Sequence, residues 1–547
     1  MTAPAHCFVQ LSPTTLLERS GRAFPTREAV FHNGGSVTFS QLLNRSRRLA
    51  QSLRDLGVKH GDCVGFLSEN KLQSIEVHFG IPATGGIIVS MNPWLPSADI
   101  ADQIDYTQVK VLLVSDKFAK RHSEIFAKAS SLQHVIIIDA EPDTTTGVVA
   151  NVSYQNAIDN AADDVALDVN VQSEHDPIAI NFTSGTTGRP KGVMLSHRAA
   201  YLHAMGQVLM LEMNRRTTYL WSLPMFHVNG WGHMWASVVI GAKQVISSAD
   251  ATVAGAENKF VEEIKYHGAT HLAGAPRLVR SLVDIAGGTK DIEGLTIVTG
   301  GAAPSPVLLK ELEDMNVALV HQYGLNETLG PYVVCEEQDE WQSLDQAARI
   351  QKRLRQGVPT IHAGSGLRVV DSDDKDVPAD GTSMGEIIMQ GNTVATEYWQ
   401  NKEAGDKSFV NGWFRSGDMA VVHEDGYLEI KDRIKDLIYV ETEYGWENIS
   451  SIEVENAISH HDGVKDIAVI GISVGEGEKA APLLIAFVEA QPGSDVDEAQ
   501  LKQYCEQQLA AYKRPNHIFF SELPKTATGK VKKDILVKDA TARVAAL

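Results

Sequence analysis

The chain has 547 residues, 43% apolar and 22% charged, which is too long for one ordinary domain and typical of a water-soluble globular composition. A formal net charge of −20 excludes a general nucleic-acid binder, which needs a basic surface. An anionic substrate would therefore have to be met by a local cluster of donors.

The opening, MTAPAHCFVQLSPTT, shows no basic segment followed by an apolar run, so no secretory signal is expected. Cys7, Cys63, Cys335 and Cys505 are scattered without metal-type spacing and read as ordinary thiols of a reducing compartment. Phe39–Leu56 has helical periodicity. Short apolar runs at Cys63–Leu67, Val109–Val114 and Val135–Asp139 read as strands of βαβ layers. The apolar stretch Gly80–Leu95 is broken by Pro82, Pro93 and several glycines, so no membrane span is expected. The same rhythm continues through Ile178–Phe182, Thr218–Leu223, Gln244–Ser247, Thr270–Gly274 and Thr296–Gly300. Beyond about residue 355, Gly366–Val370, Gly385–Gln390, Ala420–His423 and Tyr427–Ile430 read as short antiparallel strands. A charged segment, KDRIKD from Lys431 to Asp436, then precedes a compact α+β pattern. Its helices are expected at Ser451–Ser459 and Asp497–Leu509, and its strands at Val464–Ile472 and Leu483–Glu489.

NFTSGTTGRPKG, Asn181 to Gly192, is dense in phosphate donors. It fails the P-loop NTPase pattern, because Gly185 and Gly188 are too close and Lys191 is followed by Gly192 rather than Ser or Thr. Hydroxyls of Thr183, Ser184, Thr186 and Thr187, backbone N–H groups freed by glycine, and the Lys191 ammonium still make a plausible cradle. A Ser/Thr/Gly surface turn is the plain alternative.

Further segments follow in order: PMFHVNGWG (Pro224–Gly232), GGAAPSP (Gly300–Pro306), HQYGLNET (His321–Thr328), GWFRSGD (Gly412–Asp418), KDRIKD and PKTATGK (Pro524–Lys530). Together with the loop they resemble the adenylate-forming superfamily over essentially the whole chain, and most closely its plant-type acyl-activating enzymes. The resemblance implies an α/β fold. A large N-terminal domain (1–431) of layered α/β subdomains with a short β-rich subdomain would be joined by a hinge (432–436, with Lys435) to a small, mobile α+β C-terminal domain (437–547). It implies that a carboxylic acid is activated by magnesium-ATP to acyl-AMP and then passed to coenzyme A. A short- or medium-chain acid is favoured and an aromatic acid is second. Delivery to a carrier protein, or nucleotide binding without turnover, are the competing readings.

Residue roles carry over by motif position. Thr183, Ser184, Gly185, Thr186, Thr187, Gly188 and Lys191 match the phosphate cradle, and Glu327 the magnesium-holding acid. Gly301, Ala302, Ala303, Gln322, Tyr323, Gly324 and Asn326 match the AMP site, with Tyr323 against adenine. Asp418 matches the acid gripping the ribose hydroxyls, and Arg433 a nucleotide contact. Lys530 matches the lysine that bridges the attacking carboxylate and the α-phosphate. The acyl pocket is expected from His227, Val228, Trp231, Gly232, Gly300, Leu325 and Gly330, with His227 also near the chemistry. His227 stands where amino-acid-activating relatives carry an Asp for the substrate amine, which argues against an amino-acid substrate.

Two departures stand out. Asn326 replaces the usual Thr. The stretch from Tyr439 to Asn448 lacks the usual Gly-Gly, is about four residues longer and adds acids, so either the thiol tunnel is reshaped or the acceptor is not free coenzyme A. The end Val-Ala-Ala-Leu is not a Ser-Lys-Leu peroxisomal address, and cytoplasm is the expected location. A homodimer is a family-level expectation.

Overall fold

The computed structural model describes residues 9–140, 150–162, 166–167, 171–183, 190–247, 249, 256–287, 289–301, 303–442, 445–474, 481–525 and 531–546. For 150, 151, 256, 439–442, 445–448, 474 and 481 it describes the backbone alone. The chain divides into two compact units. The first holds residues up to Gly366 and Gln390–Phe414; the second holds Leu367–Met389 and Arg415 onward.

The first unit is built on two large, mainly parallel sheets. One runs, in spatial order, Ala150–Ser153, His134–Ile138, Val111–Ser115, Cys63–Leu67, Ile87–Ser90, Pro177–Phe182 and Gly192–Ser196. Its pairs are parallel except the last, where Phe182 faces Gly192 across an antiparallel hairpin. Continuous apolar runs such as Val111–Val114 and Val135–Ile138 suit strands covered on both faces. The other sheet has nine strands among the described residues. Its parallel centre, Lys243–Ile246, Thr218–Trp221, His271–Ala273, Thr296–Thr299 and Ala318–Leu325, carries antiparallel additions at both ends.

Helices fill the layers between. Phe39–Asp55 is started by a capping box, with Thr38 Oγ1 accepting from Gln41 N and the Gln41 side chain accepting from Thr38 N. Leu72–Ala83 is buried along Ser74–Ala83, its polar Ser74, Glu76 and His78 included. Pro82 sits in its last turn, where the chain is about to leave the helix. The apolar stretch near Gly80 is therefore core helix followed by the strand Ile87–Ser90, and no helix among the described residues is long and apolar enough to cross a membrane.

In the second unit, Leu367–Val370 pairs antiparallel with Gly385–Met389, and Trp413–Val422, whose first two residues belong to the first unit, pairs antiparallel with Leu428–Arg433. The sheet Val464–Val474, Ala481–Ala490, His517–Phe520 is packed by helices Ser451–Ser459, Glu498–Gln508 and Lys533–Val544. Ile438 and Ile449 enter this unit's apolar core and anchor the hairpin Ile438–Thr442/Gly445–Ile449.

Lys431–Arg433 of the charged segment lie in the strand Leu428–Arg433. The Asp432 carboxylate accepts from Ser451 N at the start of a helix (2.5 Å), and Arg433 pairs with Asp418, so these charges are absorbed by tertiary partners.

Candidate functional site

The phosphate-loop candidate leaves one strand of the first unit and returns on the next. Thr183 N donates to Lys191 O (3.0 Å) and Lys191 N to Thr183 Oγ1 (3.3 Å), closing the loop's mouth. Ser184, Gly185, Thr186, Thr187 and Gly188 lie outside the described residues, as do Ala302 and Lys530.

Beside this mouth stands a charged group that the strands fix. Glu327 sits in a short 3-10 turn, Asn326–Thr328, between Ala318–Leu325 and Gly330–Val334. Thr328 Oγ1 accepts from Leu325 N (2.9 Å) and donates to Gly330 O (2.6 Å), pinning the turn across the two strands. Glu327 is only 8% exposed and accepts from the Tyr398 hydroxyl at 2.7 Å. The Lys191 ammonium lies 4.6 Å from the centre of the same Tyr398 ring, a cation–π distance. Burial and the Glu327 carboxylate push the Tyr398 phenol far up, so it remains a donor. Tyr398 thus links the loop lysine to the candidate metal acid, and it was not foreseen, because a Tyr in the stretch Thr396–Trp399 carries no motif. Asn326 uses one amide N–H on Phe182 O (3.0 Å), tying the turn to the strand that enters the loop.

Tyr323 is buried on Ala318–Leu325, and Gly300, Gly301 and Ala303 follow the neighbouring strand Thr296–Thr299. Gln322, expected at the nucleotide, has its side chain against Gln207 (Nε2 to Oε1, 3.4 Å) in a buried polar group. Leu325 pairs with Gly330.

The acyl-pocket candidates form an unusual backbone. Val228, Asn229, Gly230, Trp231 and Gly232 have φ of +45°, +49°, +56°, +52° and +70°, a left-handed turn that costs L-residues about 1–2 kcal/mol each. It aims Trp231 between Gly300 and Gly330. A Cβ on Gly300 would fall 3.2 Å from Trp231 Cη2, and one on Gly330 3.4 Å from Cδ1. The turn is held by Asn229, fully buried, whose Oδ1 accepts from Asn181 Nδ2 (2.5 Å) and whose Nδ2 faces His78 Nε2 (2.9 Å). His78 Nδ1 lies 2.6 Å from Ser74 O; a carbonyl only accepts, so Nδ1 carries the proton and Nε2 receives the Asn229 amide. Asn181 immediately precedes the phosphate-loop strand end, so one chain of hydrogen bonds joins the two candidate subsites. Sequence reasoning missed Asn229 and His78. His227 precedes the turn, and burial holds its imidazole neutral, down to about 4.

In the second unit, Arg433 Nε donates to Asp418 Oδ1 at 2.9 Å between facing residues of adjacent strands. Asp418 is buried within a strand, not in a turn. Lys435 lies in the turn that follows and is 3.7 Å from Asp436. Cys63 and Cys505 are buried, and burial pushes their thiols up to about 12 and about 11, so neither is a thiolate nucleophile at neutral pH.

This arrangement of a donor-rich loop, a shielded acid and a strained aromatic wall is that of a nucleotide-dependent acid-activating fold, and the chain belongs to the AMP-binding enzyme family. That family matches residues 17–399, and the AMP-binding enzyme C-terminal domain matches residues 453–530. The chain is 35% identical to 4-hydroxybutyrate–CoA ligase 2 of Metallosphaera sedula, covering 97% of this chain and 95% of that one. It is 35% identical to the peroxisomal trans-cinnamate:CoA ligase of Petunia hybrida, covering 96% and 93%. Among solved structures, it resembles the anthranilate CoA ligase AuaEII in complex with anthranoyl-AMP, with a TM-score of 0.84 and 26% identity over 99% of each chain.

Proposed function

We propose that this acid–thiol ligase activates a short- or medium-chain carboxylic acid, or an aromatic acid as second choice, with magnesium-ATP and transfers the acyl group to coenzyme A. In the first step a carboxylate oxygen attacks the α-phosphorus and pyrophosphate leaves. In the second the coenzyme A sulfur attacks the acyl carbon and AMP leaves. The observation that carries the reading is the Lys191–Tyr398–Glu327 arrangement at the loop mouth. A shielded carboxylate next to a phosphate cradle is electrostatically sensible when a divalent cation lies between them.

The donor set fits magnesium, a hard cation that takes oxygen ligands and keeps much of its water; Glu327 would hold it. Bound there, magnesium neutralises triphosphate charge. Lys191 and the loop hydroxyls bind the β- and γ-phosphates, and Tyr398 keeps Glu327 oriented. Asp418 accepts from the ribose hydroxyls with Arg433 fixing its carboxylate, and Tyr323 covers the base. Lys530 neutralises both the attacking carboxylate and the α-phosphate, supplying the charge stabilisation that dominates this class of transfer. The left-handed turn walls the acyl pocket, and the relatives named for hydroxybutyrate, butyrate and cinnamate span the proposed substrate range.

Pyrophosphate release from magnesium-ATP is the test, run over a panel of acids with and without coenzyme A, with the product identified by mass. Acyl-CoA at steady turnover supports the reading. Adenylate accumulating regardless of coenzyme A would replace the acceptor, and ATP binding without pyrophosphate release for every acid would refute catalysis.

A further inference from the structure

Next to the Trp231 turn, the first unit buries more hydrogen-bonding capacity than it uses. His203 and Gln207 lie one turn apart on the helix His197–Met210, both fully buried. Gly206 between them admits the His362 ring, since a Cβ there would fall 2.1 Å from His362 Nδ1. The His203 and His362 ring centres are 4.7 Å apart. A Cβ on Gly232 would lie 2.8 Å from His203 Nδ1, and the Trp231 and His233 rings meet edge to face at 6.2 Å. The group is therefore continuous with the wall of the acyl pocket.

Its hydrogen bonds can be assigned atom by atom. His362 Nε2 is 3.1 Å from Pro331 O, so Nε2 carries the proton and Nδ1 is an acceptor. His233 Nδ1 receives the Tyr219 hydroxyl (2.7 Å), and its Nε2 faces Gln207 Oε1 at 3.4 Å. Gln322 Nε2 faces that same Oε1. What is left over, among the described residues, is Gln207 Nε2 as a donor, Gln322 Oε1 and His362 Nδ1 as acceptors, and both ring nitrogens of His203. The Pro331 carbonyl, engaged by His362, also acts on the His203 ring without closing a hydrogen bond to it. Burial holds His203, His233 and His362 uncharged.

We propose that this cluster is the far end of the acyl site and recognises a neutral hydrogen-bonding substituent, a hydroxyl above all, at the end of the acid distal to its carboxylate. The proposal rests on the reading of the Trp231 turn as the acyl-pocket wall. A hydroxyl both donates and accepts, which matches a mixed set of unused donors and acceptors. A methyl terminus would leave those groups unpaired, and unpaired buried polar groups discriminate strongly between substrates. A second carboxylate or an ammonium would meet no opposite charge, because His203, Gln207, His233, Gln322 and His362 are all neutral.

The experiment compares kcat/KM on the full-length protein, with magnesium-ATP and coenzyme A, for three sets of acids. These are ω-hydroxy acids of three to six carbons, alkanoic acids with methyl in place of the hydroxyl, and dicarboxylic acids. The hydroxy acid is expected to exceed its methyl counterpart by about tenfold or more at the best-fitting length, with the dicarboxylic acid poorest. In Gln207→Met and in His203→Phe that ratio should collapse toward one or invert, chiefly through KM. Methyl acids equal to or better than hydroxy acids at every length would overturn the proposal while leaving acid activation intact. Pyrophosphate release with none of the acids, alkanoic or hydroxylated, would overturn the underlying activity reading and this proposal with it.

Discussion

Asn229→Ala puts the left-handed turn to the sharpest test. Three non-glycine residues there, Val228, Asn229 and Trp231, have positive φ, a backbone cost of about 3–6 kcal/mol at 1–2 kcal/mol per residue. The substitution removes two buried hydrogen bonds and leaves Asn181 Nδ2 and His78 Nε2 without their Asn229 partner, at about 1–3 kcal/mol each. That loss of about 2–6 kcal/mol matches the strain it opposes, so the turn should rewind and withdraw Trp231 from between Gly300 and Gly330. Pyrophosphate–ATP exchange reads the result. KM for the acid should rise by about tenfold or more, the equivalent of 1.4 kcal/mol, while KM for ATP stays within about twofold. Asn229→Gly, which keeps the dihedral freedom but loses both hydrogen bonds, should fall between wild type and Ala. A well-folded Asn229→Ala protein with an unchanged melting temperature and unchanged KM for the acid would refute the reasoning.

Tyr398→Phe takes a charge-assisted hydrogen bond from the buried Glu327 carboxylate, worth about 1.5–3 kcal/mol, and should raise the magnesium concentration needed for half-maximal adenylation; an unaltered magnesium titration contradicts Glu327 as the metal acid. Lys530→Ala should slow single-turnover adenylate formation by about 10²–10³-fold while leaving transfer from supplied acyl-adenylate to coenzyme A intact, and equal loss in both steps would exclude the bridging role. The protein should lose stability in mild acid. His78, His197 and His321 are held down to about 4 and His233 to about 3 by burial, below the ordinary 6.5, so the unfolded chain binds more protons and stability present above pH 6.5 is lost as pH falls. At pH 5 each contributes about 2 kcal/mol of destabilisation, and a melting temperature that is flat from pH 7 to 5 would show that these imidazoles are not buried neutral. Replacing 441–446 by Gly-Gly should change the coenzyme A step and leave pyrophosphate release alone, because the hairpin is anchored at Ile438 and Ile449 and its longer arms have no place in the adenylation scheme.

Much of this was legible in the sequence where the signal is local. Apolar runs bounded by turns gave Cys63–Leu67 and Ile178–Phe182 within a residue of the observed strands, and the helix Ser451–Ser459 lies where it was expected. The motif residues Glu327, Asp418 and Arg433 were legible as candidates because a resemblance is carried by residue types at fixed motif positions. Tyr398, Asn229, His78 and Gln207 were not, since each acts through a partner dozens to more than a hundred residues away and neither periodicity nor composition reports such pairs. The left-handed turn was hidden for a further reason. Glycines at 230 and 232 hint at a turn, but nothing local would place Val228 and Trp231 at positive φ; only burial of the Asn229 amide makes that conformation affordable.

The first unit also carries a division of charge that, on the proposed reading, orients the acid. Around the loop mouth lie an ammonium, Lys191, and a carboxylate, Glu327. Around the Trp231 turn the described imidazoles of His78, His203, His227, His233 and His362 are held neutral by burial. An ionised carboxylate drawn toward the imidazole end would lose its hydration with no cation in return, a cost of several kcal/mol for a buried unpaired charge. Toward the loop mouth, on the proposed reading, the local charge is cationic, with Lys191 on the phosphates and magnesium held by Glu327. On the proposed reading, the acid therefore enters with its reactive end toward the phosphates by exclusion as much as by attraction. A protein with a net charge of −20 needs that arrangement, because its overall field repels both substrates and only local donors can hold them together.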